Sequence, residues 1–375
     1  MKNCFNPSNL KWSNYFMKSG KDFTVFWDQY LKEKRRTILF ILGEGFDPRM
    51  CFGLKIITDS SAPKICDCLS IKSKEGPNFR AKKHEKSLKQ NTIEFESLLK
   101  KCNNHYPKEI AKWSPDKRPK GDIEAKEIIK NISDLSKYSD IIVDISALPK
   151  IIYFPIIAKI LTLIEEAKQS GSSTGVPTFH IFVSENVNYD RGIKEQILNC
   201  DPFFMRGFIS NLESEALEHL PKIWIPILGE NKEEHLNKIH KIIAPDEVWP
   251  VLPSSSIDPR RSDKLLLMYR EFFFDKLNIE PRNIIFASEQ NPFDLYRQIH
   301  RVFHYKNEAL KPLGGFKIII SPLSSKLLSI GALLAAYELK QKNVGIIHIE
   351  PQDYIIDESI ETVTPNLFSL LLVGN

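Results

Sequence analysis

Residues 38–49 read Ile-Leu-Phe-Ile-Leu-Gly-Glu-Gly-Phe-Asp-Pro-Arg, and residues 249–260 read Trp-Pro-Val-Leu-Pro-Ser-Ser-Ser-Ile-Asp-Pro-Arg. Each stretch is an apolar run, then a turn of small residues, then Asp-Pro-Arg. A continuous apolar run predicts a parallel strand that is buried on both faces, and Asp-Pro favours the start of a helix. We therefore expect the same strand–turn–helix unit to occur twice in the chain.

Two further pairs of segments occur in the same order. Residues 140–150 and 316–326 each begin as a buried-type strand and lead into an apolar helix. Residues 73–79, Ser-Lys-Glu-Gly-Pro-Asn-Phe, correspond to residues 288–293, Ser-Glu-Gln-Asn-Pro-Phe. Alternating strands and helices predict parallel, doubly wound sheets with right-handed crossovers. The predicted fold class is therefore α/β, with two tandem Rossmann-like units and an N-terminal helical arm.

The predicted domain boundaries follow from these units. An N-terminal helical arm covers residues 1–36, where four closely spaced aromatic side chains predict an amphipathic helix. The first Rossmann-like unit covers residues 37–190, a connecting segment covers 191–246, and the second Rossmann-like unit covers 247–375. Residues 103–121 are polar and contain three prolines, which predicts a long surface loop.

Length and composition fit a protein with two cores. A chain of 375 residues is too long for one ordinary core, and its 42% apolar and 26% charged residues are normal for a globular protein. No apolar run reaches the roughly 18 residues of a membrane span, so no membrane partner is expected. Met1-Lys2-Asn3-Cys4 is not followed by an apolar signal region, which predicts a cytoplasmic location.

The metal-ligating residue types do not form a recognisable site. Cys66-Asp67-Cys68 has the wrong spacing for a zinc knuckle, and no matching Cys/His pair follows it. His300 and His304 share a helix face, but the sequence offers no third ligand for them. We therefore expect no metal and interpret the cysteines as buried thiols.

The charge is mildly basic and uneven. The net charge is +5 and the isoelectric point is about 8.7, with lysines concentrated in residues 72–101 and 108–130. This stretch is either a solvated helix face with a surface loop, or a source of positive potential that attracts a phosphate-bearing ligand. The net charge is too small for a protein that coats nucleic acid, so nucleic acid is the less favoured partner.

The candidate ligand site lies outside the carboxyl ends of the strands, where open α/β sheets bind their ligands. The candidates after the first strand are Gly43, Glu44, Gly45, Asp47 and Arg49. The glycines let the backbone approach a ligand, and an arginine is suited to pair with phosphate. The alternative is a tight turn that Asp47 caps and Arg49 pins by an ion pair.

The second unit offers a related set of candidates. Asp258, Arg260 and Arg261 follow its first predicted strand and have the same two interpretations. Residues 321–326 place hydroxyl groups and a lysine at a helix start, which suits an anion; the candidates there are Ser321, Ser324 and Lys326. The alternative is a serine cap with the lysine in solvent.

Three more residues complete the predicted site. Asn291 either reads a base edge or caps a helix. Asp144 and Ser146 occupy, in the first unit, the place that Ser321 and its neighbours occupy in the second. A carboxylate in one copy only predicts unequal roles for the two units or an asymmetric ligand.

Residues 318–337 form a predicted strand, a serine-rich loop with a lysine, and an apolar helix. This pattern is similar to the signature of CRISPR-associated Rossmann-fold (CARF) domains, and the tandem arrangement resembles that of their SAVED relatives. The resemblance covers the architecture and one short motif. It implies binding of cyclic oligonucleotides at the strand ends of paired Rossmann units in anti-phage signalling.

We therefore expect an anionic nucleotide, the only cofactor-like ligand implied, to lie between the two units. The chain would act as a non-enzymatic sensor or accessory subunit of a defence system, with a protein partner at the N-terminal helix. One alternative is an enzyme acting on a nucleotide or nucleoside, with Asp47, Asp144 or Glu289 in acid–base roles. The other is a structural subunit with an empty cleft that binds a protein partner.

Overall fold

The structure is a computed structural model that describes residues 5–74, 84–171, 175–197, 200–209, 212–356 and 365–374. The chain divides into two compact units. The N-terminal unit contains Tyr15–Glu195 and Gln352–Asn375, and the C-terminal unit contains Met1–Asn14 and Gln196–Pro351. The protein is a mixed α/β protein with two tandem Rossmann-like units.

The strands are, in chain order, β1 (Phe16–Ser19), β2 (Arg36–Glu44), β3 (Lys64–Lys74), β4 (Asn104–Ala111), β5 (Asp140–Asp144), β6 (Thr178–Glu185), β7 (Ile193–Gln196), β8 (Phe203–Phe204), β9 (Lys222–Ile227), β10 (Glu247–Val248), β11 (Val251–Ser254), β12 (Ile285–Ser288), β13 (Lys317–Pro322), β14 (Val344–His348), β15 (Asp353–Ile356) and β16 (Asn366–Val373). The α-helices are α1 (Gly20–Glu33), α2 (Phe52–Asp59), α3 (Glu85–Leu99), α4 (Gly121–Lys126), α5 (Lys150–Gln169), α6 (Val187–Gly192), α7 (Glu233–Ile243), α8 (Arg261–Met268), α9 (Pro292–Leu310) and α10 (Lys326–Glu338).

The sheet of the N-terminal unit has the spatial order β1-β16-β6-β5-β2-β3-β4. Strands β2 to β6 are parallel to one another. Strand β16 pairs antiparallel with β6, and β1 pairs antiparallel with β16 at the edge of the sheet. Counted along the chain, the five parallel strands lie in the order 3-2-1-4-5. This is the order of a doubly wound dinucleotide-binding sheet, which changes direction between its first and fourth strands.

The sheet of the C-terminal unit has the spatial order β12-β11-β9-β13-β14-β8. The five strands β9, β11, β12, β13 and β14 are parallel, and β8 is an antiparallel edge strand. Counted along the chain, these five strands again lie in the order 3-2-1-4-5. The two units therefore share one topology, and β2 corresponds to β9, β3 to β11, and β5 to β13.

This correspondence corrects the repeat that the sequence suggested. Residues 38–49 include most of β2, a first strand, whereas residues 249–260 contain β11, a second strand. The two Asp-Pro-Arg segments are therefore not equivalent, because they follow different strands. Asp before Pro favours the start of a helix after any strand, so Asp-Pro can occur after two strands that do not correspond to each other. Residues 75–79 of the second landmark pair lie outside the described residues.

The third landmark pair does coincide, because β5 and β13 are both fourth strands. Each ends at a short loop that leads into a largely buried apolar helix, α5 in one unit and α10 in the other. A helix that is buried on nearly all sides must be apolar on nearly all sides. That requirement explains why this pair could be recognised from sequence.

The observed unit boundaries differ from the predicted ones. The segment 191–246, predicted as a connection, contributes β9, the central strand of the C-terminal sheet. Its run Lys-Ile-Trp-Ile-Pro-Ile is buried almost throughout, so it belongs to a core. The second unit accordingly begins before residue 247.

Both chain ends also lie elsewhere than predicted. The helix of the expected arm, α1, buries Phe23, Trp27 and Leu31 in the core of the N-terminal unit. Strand β16, which was expected in the second unit, pairs with β6 and β1 of the N-terminal unit. Its residues Phe368, Leu370 and Leu372 are buried, and the hydrophobic effect favours that placement.

Residues 104–111 form the edge strand β4, so the prediction of a long loop at 103–121 was wrong for this part. The strand pairs with β3 along one side, and most of its residues are exposed. An edge strand tolerates polar residues and Pro107 because one side of its backbone needs no partner in the sheet. In the described part of the chain, no helix combines the length and apolar character that crossing a membrane requires.

Candidate functional site

The topological switch point of each unit lies between its first and fourth strands, which are β2 and β5 in one unit and β9 and β13 in the other. A Cβ atom added at Gly43 would lie 3.0 Å from the carbonyl oxygen of Ala147. A Cβ atom added at Gly229 would lie 2.7 Å from the carbonyl oxygen of Leu323. Both units thus need a glycine at or just after the end of the first strand, because the backbone there touches the loop after the fourth strand.

Arg49 is buried and holds two carboxylates in the N-terminal unit. Its Nε and Nη2 atoms donate to the two carboxylate oxygens of Asp47 at 2.9 and 2.8 Å, and its Nη1 donates to Asp190 at 2.8 Å. Burial opposes the charged form, but Asp47 and Asp190 outweigh it and raise the pKa of Arg49. This geometry matches the second sequence interpretation, in which the arginine pins the turn.

The glycine turn after β2 is fixed by a side chain that the sequence reasoning missed. Asn91 of α3 donates through Nδ2 to the carbonyl oxygens of Gly45 and Asp47, both at 2.9 Å. The ring of Phe46 stacks on His84, with centroids 4.2 Å apart and an interplanar angle of 18°. Glu44 is half-buried at the end of β2. A single buried asparagine within a helix gives no sequence signal for such a contact.

Asp144 and Ser146 lie inside the N-terminal unit. One carboxylate oxygen of Asp144 accepts hydrogen bonds from the backbone NH of Ser146 at 2.9 Å and from its hydroxyl at 2.5 Å. The same hydroxyl accepts from the backbone NH of Ser184 at 2.8 Å. Both residues are buried. Their hydrogen bonds to each other and to Ser184 join the carboxyl ends of the neighbouring strands β5 and β6.

Arg261 is a buried arginine of the C-terminal unit. It donates through Nε and Nη2 to both carboxylate oxygens of Glu230, at 2.9 and 2.7 Å. It also forms an ion pair with Glu289, which accepts a hydrogen bond from Ser256. The loops after β9, β11 and β12 are therefore joined by one guanidinium group.

Asp258 and Arg260 lie in the same loop but nearer to solvent. The carboxylate of Asp258 accepts from the backbone NH of Arg260 at 3.1 Å and from Lys264 Nζ at 2.7 Å. The side chain of Arg260 is exposed. Of the two adjacent arginines, Arg261 is engaged within the protein and Arg260 projects from the carboxyl edge of the sheet.

The loop between β13 and α10 divides its serines between different roles. Ser321 is buried and accepts a hydrogen bond from Trp224 Nε1 at 2.8 Å. Ser325, which the sequence reasoning did not select, caps α10 by accepting from the backbone NH of Leu328 at 3.3 Å. Ser324 and Lys326 are half-buried at the helix start. The hydroxyl oxygen of Ser324 is itself buried, so Lys326 supplies the half-buried polar group of the predicted cradle.

Asn291 caps α9, because its Oδ1 accepts from the backbone NH of Phe293 at 3.1 Å. This is the second of its two sequence interpretations. The cap engages the side-chain oxygen of Asn291.

The sequence reasoning also missed the contacts around Gly229. Tyr269 donates through its hydroxyl to the Gly229 carbonyl at 2.5 Å and accepts from the backbone NH of Lys232 at 2.9 Å. Burial raises the pKa of this tyrosine to about 12, so it stays a donor. The apolar run before Gly229 could have indicated a strand of the sheet, but the sequence analysis assigned this run to the connecting segment 191–246.

The carboxylates of the enzymatic alternative are engaged in internal contacts. Asp47 pairs with Arg49, Glu289 pairs with Arg261, and Asp144 accepts from Ser146. Among the residues that the structure describes, no three His, Cys, Asp or Glu side chains are grouped so that they could hold a metal ion.

No family model and no curated protein matches this chain. Of the 43 chains of solved structures that show similarity, three are described. A type III CRISPR defence DNA nuclease activated by cyclic oligoadenylate has 11% identity and a TM-score of 0.42, with 82% of this chain and 64% of that chain covered. The chain thus spans less than two thirds of that nuclease chain.

Two more of these structures have lower TM-scores. A putative universal stress protein from Pseudomonas aeruginosa UCBPP-PA14 has 12% identity and a TM-score of 0.21, with 84% and 94% of the two chains covered. The cytoplasmic domain of a prokaryotic cation chloride cotransporter has 12% identity and a TM-score of 0.22, with 85% and 96% covered. A function for this chain therefore has to be derived from its own residues.

Proposed function

We propose that the protein binds a nucleotide-type anion at the carboxyl edge of the C-terminal sheet, and that it acts as a sensor or accessory subunit in anti-phage defence. One observation carries the binding proposal. The loop that contains Leu323 and Ser324 follows the fourth strand, touches Gly229 after the first strand and leads into α10, which begins at Lys326. A switch point with a helix N-terminus is where a doubly wound sheet binds phosphate.

The charges at this edge support an anionic ligand. Arg260 is exposed, and within the described part of the chain its side chain forms no ion pair. Lys326 begins α10, and the N-terminal end of a helix carries a partial positive charge. A ligand with at least two phosphate groups would use both cations.

The N-terminal unit is the weaker candidate for phosphate. Its arginine at the carboxyl edge, Arg49, already binds Asp47 and Asp190. Its fourth strand ends in Asp144 rather than in a neutral serine, and a carboxylate repels phosphate. The two units therefore fit the asymmetric roles that the sequence suggested.

The sensing role has a separate support. The strand, serine-rich loop and apolar helix at residues 318–337 resemble the CARF signature, which implies a cyclic oligonucleotide as the ligand. Helix α1 packs into the core of the N-terminal unit, and β16 belongs to the sheet of the same unit. A protein partner that binds the exposed side of α1 stays a prediction.

Titration calorimetry with a cyclic and a linear oligoadenylate tests this proposal. Lys326→Ala and Arg260→Ala should each weaken binding by about 1.5–3 kcal/mol, the range for hydrogen bonds to charged groups, while the melting temperature without ligand barely changes. Lys311→Ala is the matched control, because Lys311 follows the C-terminal end of α9 at the opposite edge of the sheet.

Two results would contradict the proposal. One is the absence of saturable binding of either oligoadenylate to the parent protein. The other is a loss of stability in Arg260→Ala and Lys326→Ala without a separate loss of binding, which would assign both side chains to holding their loops.

A further inference from the structure

The C-terminal unit contains a cavity of about 560 Å³ at the edge opposite the proposed site. Glu247 and Trp249 line it from just before β11, and Arg282 lines it from just before β12. The rest of its wall comes mostly from the second half of α9, which runs back toward the amino ends of the strands. The cavity therefore does not belong to the carboxyl edge.

Three aromatic rings line this cavity. Trp249 and Tyr305 have ring centroids 6.3 Å apart and are tilted by 57°. Phe286 and Tyr305 are 52% and 58% exposed. Phe286 alternates along β12 with the buried Ile285 and Ala287, so its ring lies on the side of the strand away from that core. Exposed ring faces at a cavity are suited to stack on a flat ligand.

The ammonium group of Lys306 contacts two of these rings, and its charge is compensated by an ion pair. Its Nζ lies 5.1 Å from the Trp249 ring centroid and 5.3 Å from that of Tyr305. It also forms an ion pair with Glu247, which accepts a second hydrogen bond from Asn283 Nδ2 at 3.2 Å. The ion pair of Lys306 with Glu247 therefore helps to position the rings of Trp249 and Tyr305.

Two further cations give the cavity a net positive charge. Arg301 is exposed and donates through Nη1 to Gln298 Oε1 at 3.2 Å, which positions its guanidinium group at the cavity. Arg282 is exposed and pairs with Glu280. A guanidinium group is planar and binds phosphate oxygens in pairs. Positive charge also disfavours a cationic ligand, which an aromatic wall alone would accept.

We propose that this cavity binds one nucleoside phosphate, with its base on the aromatic wall and its phosphate at Arg301. The cavity volume of about 560 Å³ falls within the range of about 300–1,000 Å³ of small-ligand sites. The ligand is either a free mononucleotide or one nucleotide of a single strand, because both present the same base and phosphate. This site is independent of the proposed function at the carboxyl edge.

Titration calorimetry with AMP and UMP, a purine and a pyrimidine nucleotide, tests the site. Both should bind saturably, whereas adenosine alone and inorganic phosphate alone should bind at least about tenfold more weakly, because each lacks one half of the recognised chemistry. Arg301→Gln should weaken AMP binding by about tenfold or more. Tyr305→Ala should do so to a similar extent, and Tyr305→Phe should retain binding because it keeps the ring.

The controls separate this cavity from other cations and from the carboxyl edge. Arg270→Gln removes an exposed arginine of the same unit that does not line the cavity, and it should leave AMP binding unchanged. Lys326→Ala should also leave it unchanged, so that failure at either edge can be distinguished. Arg301 and Tyr305 are exposed, so their variants should fold.

A short single-stranded oligonucleotide decides between the two sources. If it binds at least tenfold more tightly than AMP and Arg301→Gln weakens both, the ligand is a nucleotide within a strand. If it binds no better than AMP, the ligand is a free mononucleotide. The proposal is overturned if no nucleotide or oligonucleotide binds saturably, if adenosine binds as tightly as AMP, or if Arg270→Gln weakens binding as much as Arg301→Gln.

Discussion

At the scale of single residues, the arginines at the carboxyl edges fall into two groups. Arg49 and Arg261 are buried, and each binds two carboxylates. Arg260 is exposed. A buried guanidinium group must have its charge compensated inside the protein, so the first group stabilises loops. The exposed side chain of Arg260 remains suited to bind an anionic ligand.

Replacing Arg49 by methionine should therefore destabilise the N-terminal unit by about 3–5 kcal/mol, the cost of removing one partner of a buried ion pair. The reason is that Asp47 and Asp190 would keep their charges without a cation. Lys32→Met is the control, because Lys32 and Asp28 form an exposed pair that contributes about 0–1 kcal/mol. Urea denaturation measures both changes. Unchanged stability in Arg49→Met, together with weaker nucleotide binding, would instead show that Arg49 binds the ligand.

At the scale of elements, burial on two faces made the central strands recognisable from sequence. Strands β2, β5, β9 and β13 are apolar over most of their length, because helices cover both faces of a doubly wound sheet. The edge strand β4 lacks that pattern, since most of its residues are exposed. Propensity and hydrophobic pattern could not distinguish it from a loop.

The contact between α9 and α10 provides an element-scale test. A Cβ atom at Gly331, inside α10, would lie 2.4 Å from the carbonyl oxygen of Pro292 and 3.0 Å from Leu295 Cβ. Gly331→Ala should therefore lower the free energy of unfolding by about 1–3 kcal/mol through overpacking. Helix propensity alone would predict a gain of about 1 kcal/mol.

Gly175→Ala is the matched control for Gly331→Ala, because a Cβ atom at Gly175 would meet nothing within 4 Å. Its unfolding free energy should stay the same or rise slightly. Chemical denaturation of both variants gives the comparison. If Gly331→Ala proves more stable than the parent, α9 and α10 do not pack as closely as described.

At the scale of the whole molecule, the two units are not two consecutive stretches of chain. The N-terminal unit includes the C-terminal strand β16, which pairs with β6 in register from Asn366↔Glu185 to Leu371↔His180. The C-terminal unit includes the first residues of the chain. A boundary search along the sequence alone would place both ends in the wrong unit.

Deleting residues 365–375 should therefore destabilise the N-terminal unit, although these residues follow the C-terminal unit in sequence. The deletion removes three buried apolar side chains of β16, each worth about 1.5–3 kcal/mol. Hydrogen exchange should show lost protection in β6 and β1 and unchanged protection in β13 and α10. Deleting only the last two residues is the control. Equal loss of protection in both units would contradict the assignment of β16.

The sequence by itself determined the α/β class, the positions of most central strands and helices, and the apolar character of α5 and α10. These features depend on local periodicity and on burial within one segment, which the residues record directly. The alternation of strands and helices was sufficient to predict two parallel, doubly wound sheets.

Only the tertiary structure decided which strands correspond and which candidate side chains face solvent. Strand order depends on pairing between distant segments, so the Asp-Pro-Arg repeat suggested the wrong equivalence while Gly43 and Gly229 revealed the right one. Likewise Arg260 and Arg261 are adjacent in sequence, yet one is exposed and the other is buried between Glu230 and Glu289. Burial is set by what packs around a residue in three dimensions, and neighbouring positions in a sequence do not share it.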